Sequence, residues 1–237
     1  MEIWNGFKLE RTTFEDRELI TVYPEKPNGK WAIKTEYFNA FPDVQIKLLE
    51  LGYHVFHLQN NTRWHVNEDT EKRAKLAEYV HDKMGLSQKC VIIGMSCGGM
   101  QGIYFGAKYP EYVSCLYLDA PVVNLFSCPA GFGKKVNIDA LDELLKGKNM
   151  TMTEFISYRE HPLDYLPELV KHNIPLMLVA GDSDSVVPYD ENGILLHDAY
   201  KKAGCIMETI IKPGCDHHPH SLEDNSPIIE FIKKYDI

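Results

Sequence analysis

Apolar positions along this chain fall into two alternating rhythms. Arg17–Tyr23 alternates with the period of two that a half-buried strand requires, a Pro/Gly/Asn-rich turn covers Pro24–Lys30, and Trp31–Ile33 opens a second strand. Val44–Leu51 switches to helical spacing and stops at Gly52, after which Tyr53–Leu58 is again strand-like. In Glu68–Met84 the residues Ala74, Ala77, Val80 or His81, and Met84 share one face, predicting an amphipathic helix ended by Gly85. Cys90–Met95 and Val113–Leu118 are short, continuously apolar runs of the kind buried inside a parallel sheet. Between them a helix is expected from Cys97 to about Lys108, closed by Pro110. Ile174–Ala180 and Cys205–Ile211 supply further strands, and Asp190–Ala203 and Pro227–Tyr235 further helices. Such alternation predicts an α/β domain with a mainly parallel central sheet flanked by helices.

The segment 124–164 breaks this rhythm. It holds Gly131-Phe132-Gly133, a short helix expected around Ile138–Leu145, and another element at Thr151–Tyr158. An insertion there would leave the sheet over its strand ends, so a small cap or lid is expected; the alternative is a surface excursion with no part in the site. With no internal repeat and no low-complexity tract, residues 1–237 fit a single domain.

Composition acts mainly by exclusion. A net charge of -9 gives a surface that repels phosphate backbones, so nucleic acid is not an expected partner. No apolar run approaches the ~18 residues of a membrane span. The start, Met1–Asn5, carries neither a basic nor an apolar leader region, so a cytoplasmic location is expected. Six cysteines (90, 97, 115, 128, 205 and 215) form no C-x-x-C pair; reduced thiols are the simplest reading, with one disulfide still allowed. Oligomeric state is left open, a homodimer among the arrangements allowed.

Chemistry concentrates at Gly94-Met95-Ser96-Cys97-Gly98-Gly99, a G-x-S-x-G match between a buried strand and a helix. A sharp strand-to-helix turn of this kind lifts a serine hydroxyl above a sheet. Flanking glycines are needed because side chains there would collide with the neighbouring strand and helix. The turn also sets Ser96 at a helix N-terminus, where the Cys97 N–H favours developing negative charge. The alternative is a glycine-rich turn that merely caps a helix. The phosphate-loop pattern G-x-x-x-x-G-K-[ST] is absent, as is an early G-x-G-x-x-G.

A serine hydroxyl is a poor nucleophile until a base takes its proton. Two later loops carry the groups for this. Gly181-Asp182-Ser183-Asp184-Ser185-Val186-Val187-Pro188 follows one strand, and Pro213-Gly214-Cys215-Asp216-His217-His218-Pro219-His220 follows the next. Both leave what should be the C-terminal edge of the sheet, where sites of open α/β sheets form.

Together these segments resemble the α/β-hydrolase superfamily, and more narrowly a group of small bacterial esterase-like serine hydrolases of the prolyl-oligopeptidase and dienelactone-hydrolase clan. In that group a W-x-x-x-x-E-[FY]-F-x-A-F-P segment precedes the elbow and a G-x-G-H-H-P-H-S segment carries the histidine; here these are Trp31–Pro42 and Gly214–Ser221. The resemblance spans about Trp31 to Ile232. It implies the α/β-hydrolase fold with a small cap insertion after the sixth strand, and the chain order serine, acid, histidine. Carried onto this chain, the nucleophile is Ser96, the acid Asp184 and the base His217. Asp182 is the runner-up acid and Asp119 a further alternative, read as a loop-capping carboxylate. Asp216 stands where the group has its second glycine, which keeps His218 a candidate base; Asp216 could also hydrogen-bond an imidazole. No His-Gly pair supplies the second oxyanion donor, so a backbone N–H at Glu36 or Tyr37 is expected, although Tyr37, Phe38 and Phe41 could all be core.

The resulting expectation is a serine esterase acting through an acyl-enzyme on a small-molecule ester, with the resemblance hinting at acyl groups on carbohydrates. Arg63 and Trp64 are candidate substrate contacts, Arg63 for a carboxylate and Trp64 for a ring. His217, His218 and His220 beside Asp216 raise a metal site, but adjacent histidines rarely point at one ion, so neither metal nor cofactor is expected. The competing readings are a prolyl-oligopeptidase-like peptidase, a dienelactone-hydrolase-like enzyme (which would place cysteine where Ser96 stands) and an inactive binding protein on the same fold.

Overall fold

The structure, a computed structural model, describes residues 2–133 and 140–237. The chain opens with β1 (Glu2–Trp4), β2 (Phe7–Phe14) and β3 (Arg17–Tyr23). It continues through β4 (Trp31–Lys34), α1 (Asp43–Glu50), β5 (His54–Leu58), α2 (Asn67–Asp82), β6 (Cys90–Met95), α3 (Cys97–Lys108) and β7 (Val113–Asp119). Three short helices follow, α4 (Leu141–Gly147), α5 (Met152–Ser157) and α6 (Leu166–Lys171). The domain closes with β8 (Leu176–Gly181), α7 (Gly193–Ala203), β9 (Met207–Lys212) and α8 (Ser226–Tyr235).

The strands form one sheet in the order β1-β2-β3-β5-β4-β6-β7-β8-β9. The first three run antiparallel and join β5; from β5 onward every neighbouring pair is parallel. The apolar runs read from the sequence become central strands buried on both faces. In β6, Cys90 and Ile92 face a core shared with α2, α3, α6 and α7, whereas Val91, Ile93 and Met95 face a core shared with α1 and α8. This is a three-layer arrangement with one apolar core on each side of the sheet.

The sheet order reverses between β4 and β6. From β4 the chain crosses to β5 on one side, and from β6 it crosses to β7 on the other. The loops leaving the C-terminal ends of these two neighbours diverge, opening a crevice at that point.

The mainly parallel sheet flanked by helices is the architecture expected, with helix and strand ends shifted by up to three residues. Two strands were not expected. In β2 only Leu9 is buried, so no alternation marks it in the sequence. The segment 124–164 follows the seventh strand of the chain, not the sixth. Its first helix begins at Leu141; Ile138 lies outside the described residues. None of the six cysteines is in a disulfide. Among the described residues no helix is long and apolar enough to cross a membrane.

Candidate active site

Ser96 occupies a single-residue turn between β6 and α3, with φ +53° and ψ -118°. That conformation is unfavourable for any residue with a Cβ and is held by surrounding main-chain bonds. The Ser96 N–H donates to the Asp119 carbonyl at 2.9 Å, and its own carbonyl accepts from Gly99 N at 3.0 Å and Val122 N at 3.1 Å. The glycines make the turn sterically possible. A Cβ at Gly94 would lie 2.7 Å from the Gly98 carbonyl oxygen, and one at Gly99 would lie 2.8 Å from Pro121 Cα.

The expected acid and base, Asp184 and His217, lie on the loops after β8 and β9. His217 Nε2 is 3.1 Å from Ser96 Oγ, and its Nδ1 is 2.8 Å from Asp184 Oδ2. Both His217 and Asp184 are buried, whereas Ser96 keeps some exposure. The second oxygen of Asp184 accepts from the main-chain N–H groups of Val186 (2.9 Å) and Val187 (2.7 Å). Those two bonds fix the carboxylate so that Oδ2 faces the imidazole. Val187 itself is buried, which anchors the donor.

The alternatives named from the sequence go elsewhere. Asp182 is exposed and accepts from Gly214 N (2.7 Å) and Ser183 Oγ (2.9 Å). His218 is exposed and stacks on Phe41, with ring centroids 5.5 Å apart. Asp216 reaches no imidazole; it accepts from the Ser185 and His217 main-chain N–H groups, each at 2.7 Å, tying the acid loop to the histidine loop. Asp119 caps the loop as expected, accepting from Ser221 N at 2.5 Å. It also meets the His220 ring, Nδ1 lying 2.9 Å from Oδ1. That second acid–imidazole pair was not expected.

The expected oxyanion segment lies beside the elbow. Thr35 Oγ1 donates to the Gly98 carbonyl at 2.6 Å, and a Cβ built on Gly98 would come within 3.1 Å of Glu36 Cβ. Tyr37 stands at φ +54°, and its N–H makes only a long 3.4 Å contact with the Glu36 carboxylate. The Cys97 N–H, first of α3, has no acceptor among the described residues. Tyr37 and Cys97 line the same cavity as Ser96. Glu36 turns its carboxylate away, accepting from Asn60 Nδ2 at 2.7 Å.

A cavity of about 340 Å³ opens over Ser96. Its walls are largely apolar, formed by Tyr37, Phe41, Trp64, Met95, Cys128 and Val186, with His217, His218 and His220 on one side. Arg63 and Trp64 both line it. Trp64 is fully buried, and its indole N–H is unpartnered among the described residues. Arg63 is already engaged: its guanidinium is paired with the Glu143 carboxylate on α4. Phe38 is core, but Tyr37 and Phe41 are cavity wall.

Segment 124–164 contributes Cys128 to the cavity and Glu143 as the partner of Arg63. Leu125, Cys128, Leu144 and Phe155 pack in one cluster with Trp64, Cys97, Met100, Tyr104 and Val187. Asn192, fully buried, fastens the start of the segment by accepting from Val123 N (3.0 Å) and Asn124 N (2.9 Å).

Cys97 and Lys34 are among the buried groups with strongly shifted proton affinities. Burial pushes the Cys97 thiol up to about 11, so it is uncharged at neutral pH and no nucleophile. Burial also pulls the Lys34 amine at the end of β4 down to about 7, opposed by the charges of Asp119 and Asp43.

Residues 57–134, a third of the chain, match the sequence model of a family described as alpha/beta hydrolase fold. Several solved structures share the whole architecture. An acylaminoacyl peptidase of Pyrococcus horikoshii superimposes with TM-score 0.72 at 16% identity, over 97% of this chain and 41% of that one. TT1662 from Thermus thermophilus gives 0.63 at 14% identity, over 97% and 98%. MPT51 of Mycobacterium tuberculosis gives 0.67 at 13% identity, over 96% of each. The chain thus spans about two fifths of the peptidase but nearly the full length of the other two. The shared fold is one that supports a hydrolase.

Proposed function

We propose, from the premise that the chain is a member of the α/β-hydrolase superfamily, that it is a serine hydrolase of carboxylic esters, with Ser96 as nucleophile, His217 as base and Asp184 as orienting acid. The observation that carries this reading is the unbroken line from Asp184 through His217 to the Ser96 hydroxyl, at 2.8 and 3.1 Å, on the floor of an apolar cavity.

Ser96 Oγ attacks the ester carbonyl while His217 Nε2 takes its proton. Asp184 keeps Nδ1 protonated, so that Nε2 is the basic nitrogen, and stabilises the imidazolium that forms. The main-chain N–H of Cys97, with that of Tyr37 or Glu36, receives the oxyanion; such donors are worth about 3 kcal/mol each. His217 then protonates the departing alcohol. Water, deprotonated by the same imidazole, attacks the acyl-enzyme and frees Ser96.

The cavity volume and its aromatic and thioether walls favour a short acyl chain or one aromatic ring. The described part of segment 124–164, which contributes Cys128 to the cavity lining, acts as a cap over the acyl site. A second reading, cleavage of an acylated peptide, draws support from the likeness to the acylaminoacyl peptidase.

The deciding experiment is hydrolysis of p-nitrophenyl acetate and butyrate by the parent beside Ser96→Ala and His217→Ala, with a fluorogenic acyl-peptide in parallel. Ester turnover in the parent, lost in both variants and accompanied by fluorophosphonate labelling of Ser96, supports the esterase. Equal background rates in all three proteins and no adduct on Ser96 would overturn it.

A further inference from the structure

Three imidazoles meet at the cavity wall: His217, His218 and His220 each offer a ring nitrogen, and these atoms lie within 4.8 Å of one another. We propose that they form a binding site for a borderline-soft divalent transition ion such as Zn²⁺, and that filling it takes His217 from Ser96 and switches hydrolysis off. The binding half stands on the geometry alone; the switch rests on the function proposed above.

Adjacent histidines rarely converge on one ion, because successive side chains of an extended segment point apart. Here the loop between β9 and α8 folds back on itself. The three ring centroids form a near-equilateral triangle, 4.8, 4.8 and 4.9 Å apart, with the His218 and His220 rings at 90°.

The nitrogens are also presented in the right form. His217 Nδ1 faces Asp184, and His220 Nδ1 faces Asp119 at 2.9 Å. Each carboxylate is itself held, Asp184 by the Val186 and Val187 N–H groups and Asp119 by the Ser221 N–H and the Tyr117 hydroxyl. A carboxylate on Nδ1 keeps the proton there and turns the Nε2 lone pair outward, which is how protein metal sites orient their histidines. One such pair is accounted for by the serine chemistry; the second is not. A purely structural role for Asp119–His220 explains the bond at Nδ1. It leaves His220 Nε2, on the cavity wall, without a hydrogen-bond partner among the described residues.

Metal–imidazole bonds of about 2.0–2.1 Å in a tetrahedron require donors about 3.4 Å apart, so the nitrogens must draw together. His218 can supply that movement: it is exposed, and its ring has no hydrogen-bond partner among the described residues. The fourth position is left to water or the Ser96 hydroxyl. His217 Nε2 has one lone pair, so it cannot both ligate an ion and accept the Ser96 proton. Occupancy and catalysis exclude each other.

The test uses chelator-stripped full-length protein and Zn²⁺ alone as probe. Calorimetric titration of Ser96→Ala, which has no hydrolytic turnover to interfere, is expected to show one bound ion per chain. Adding His218→Ala or His220→Gln should weaken binding about tenfold or more. His218 is exposed, so its variant remains informative if His220→Gln fails to fold. Co²⁺ should give the visible absorption of a tetrahedral site. In the parent, inhibition of ester hydrolysis should follow the binding curve and reverse with EDTA. No one-to-one binding, or binding unchanged by both histidine substitutions (including loss only with Cys215→Ser), overturns the site. Tight binding without inhibition of an active parent overturns the switch. A parent that never hydrolyses esters yet binds Zn²⁺ through these histidines overturns the esterase reading and leaves the site standing.

Discussion

The Asp119 carboxylate sits at the end of β7 with the His220 ring 2.9 Å away, repeating at close quarters the relation between Asp184 and His217. Both pairs are buried, and both imidazoles belong to the same loop. Only one reaches the serine. Asp119 also receives Ser221 N and the Tyr117 hydroxyl, so it organises the loop that carries His217. Replacing it by leucine strands a buried N–H and two buried polar side chains at once. Asp119→Leu is therefore expected to lower stability by about 3–5 kcal/mol, read from urea unfolding.

The two loop carboxylates should separate cleanly. Asp184→Asn preserves shape but presents the wrong hydrogen-bonding group to His217 Nδ1, and kcat for a p-nitrophenyl ester should fall about 10⁴-fold. Asp182→Asn, altering an exposed side chain bonded to Gly214 N and Ser183 Oγ, should stay within about threefold of the parent. The reverse ranking would move the acid role to Asp182.

Gly98 fixes the approach of the Glu36–Tyr37 segment to the helix end. A methyl group there meets Glu36 Cβ at 3.1 Å and Thr35 Oγ1 at 3.2 Å. Gly98→Ala should push the second oxyanion donor outward and cut kcat about 10- to 100-fold, with KM changed little, because the lost bond forms only in the transition state. A matching rise in KM would instead indicate a distorted binding cavity.

Arg63 lines the cavity but is neutralised by Glu143. Glu143→Gln should free its charge for an anionic acyl group. The ratio of kcat/KM for a p-nitrophenyl hemisuccinate to that for the acetate is expected to rise about three- to tenfold, on the order of 1 kcal/mol. Adding Arg63→Met should erase the gain.

Lys34 makes stability depend on pH in a defined direction. Its folded-state value of about 7 lies below the ordinary lysine value of 10.5. Between these limits the unfolded chain holds a proton that the folded protein has released, so stability rises with pH across that interval and levels off above it. Asp119 and Asp43 face the amine and oppose the shift without reversing it. Lys34→Met should remove this rise. The difference in unfolding free energy between parent and variant, measured at pH 6.5 and pH 10, should change by about 1–3 kcal/mol.

Local patterns in the sequence determined the alternation of strands and helices, the parallel centre of the sheet and the elbow at Ser96. Each depends on neighbours a few residues apart: an apolar run, a helical repeat, glycines on either side of a serine. β2 carries no readable signal because only one of its eight residues is buried, and a strand with polar residues on both faces has no periodicity. The candidate acid and base were legible as loops and in their order along the chain. Which aspartate and which histidine meet Ser96 was not, since Asp182 and Asp184, or His217 and His218, differ only in how their loops turn. Tertiary structure decided that through bonds from Val186 and Val187 to one carboxylate and from Gly214 to the other. It also decided the contacts with no local signature: Arg63 with Glu143, eighty positions apart, and Asp119 with His220, over a hundred apart. Such pairs form because the reversal of strand order between β4 and β6 brings the ends of distant segments to one crevice, and spacing along a chain does not encode that proximity.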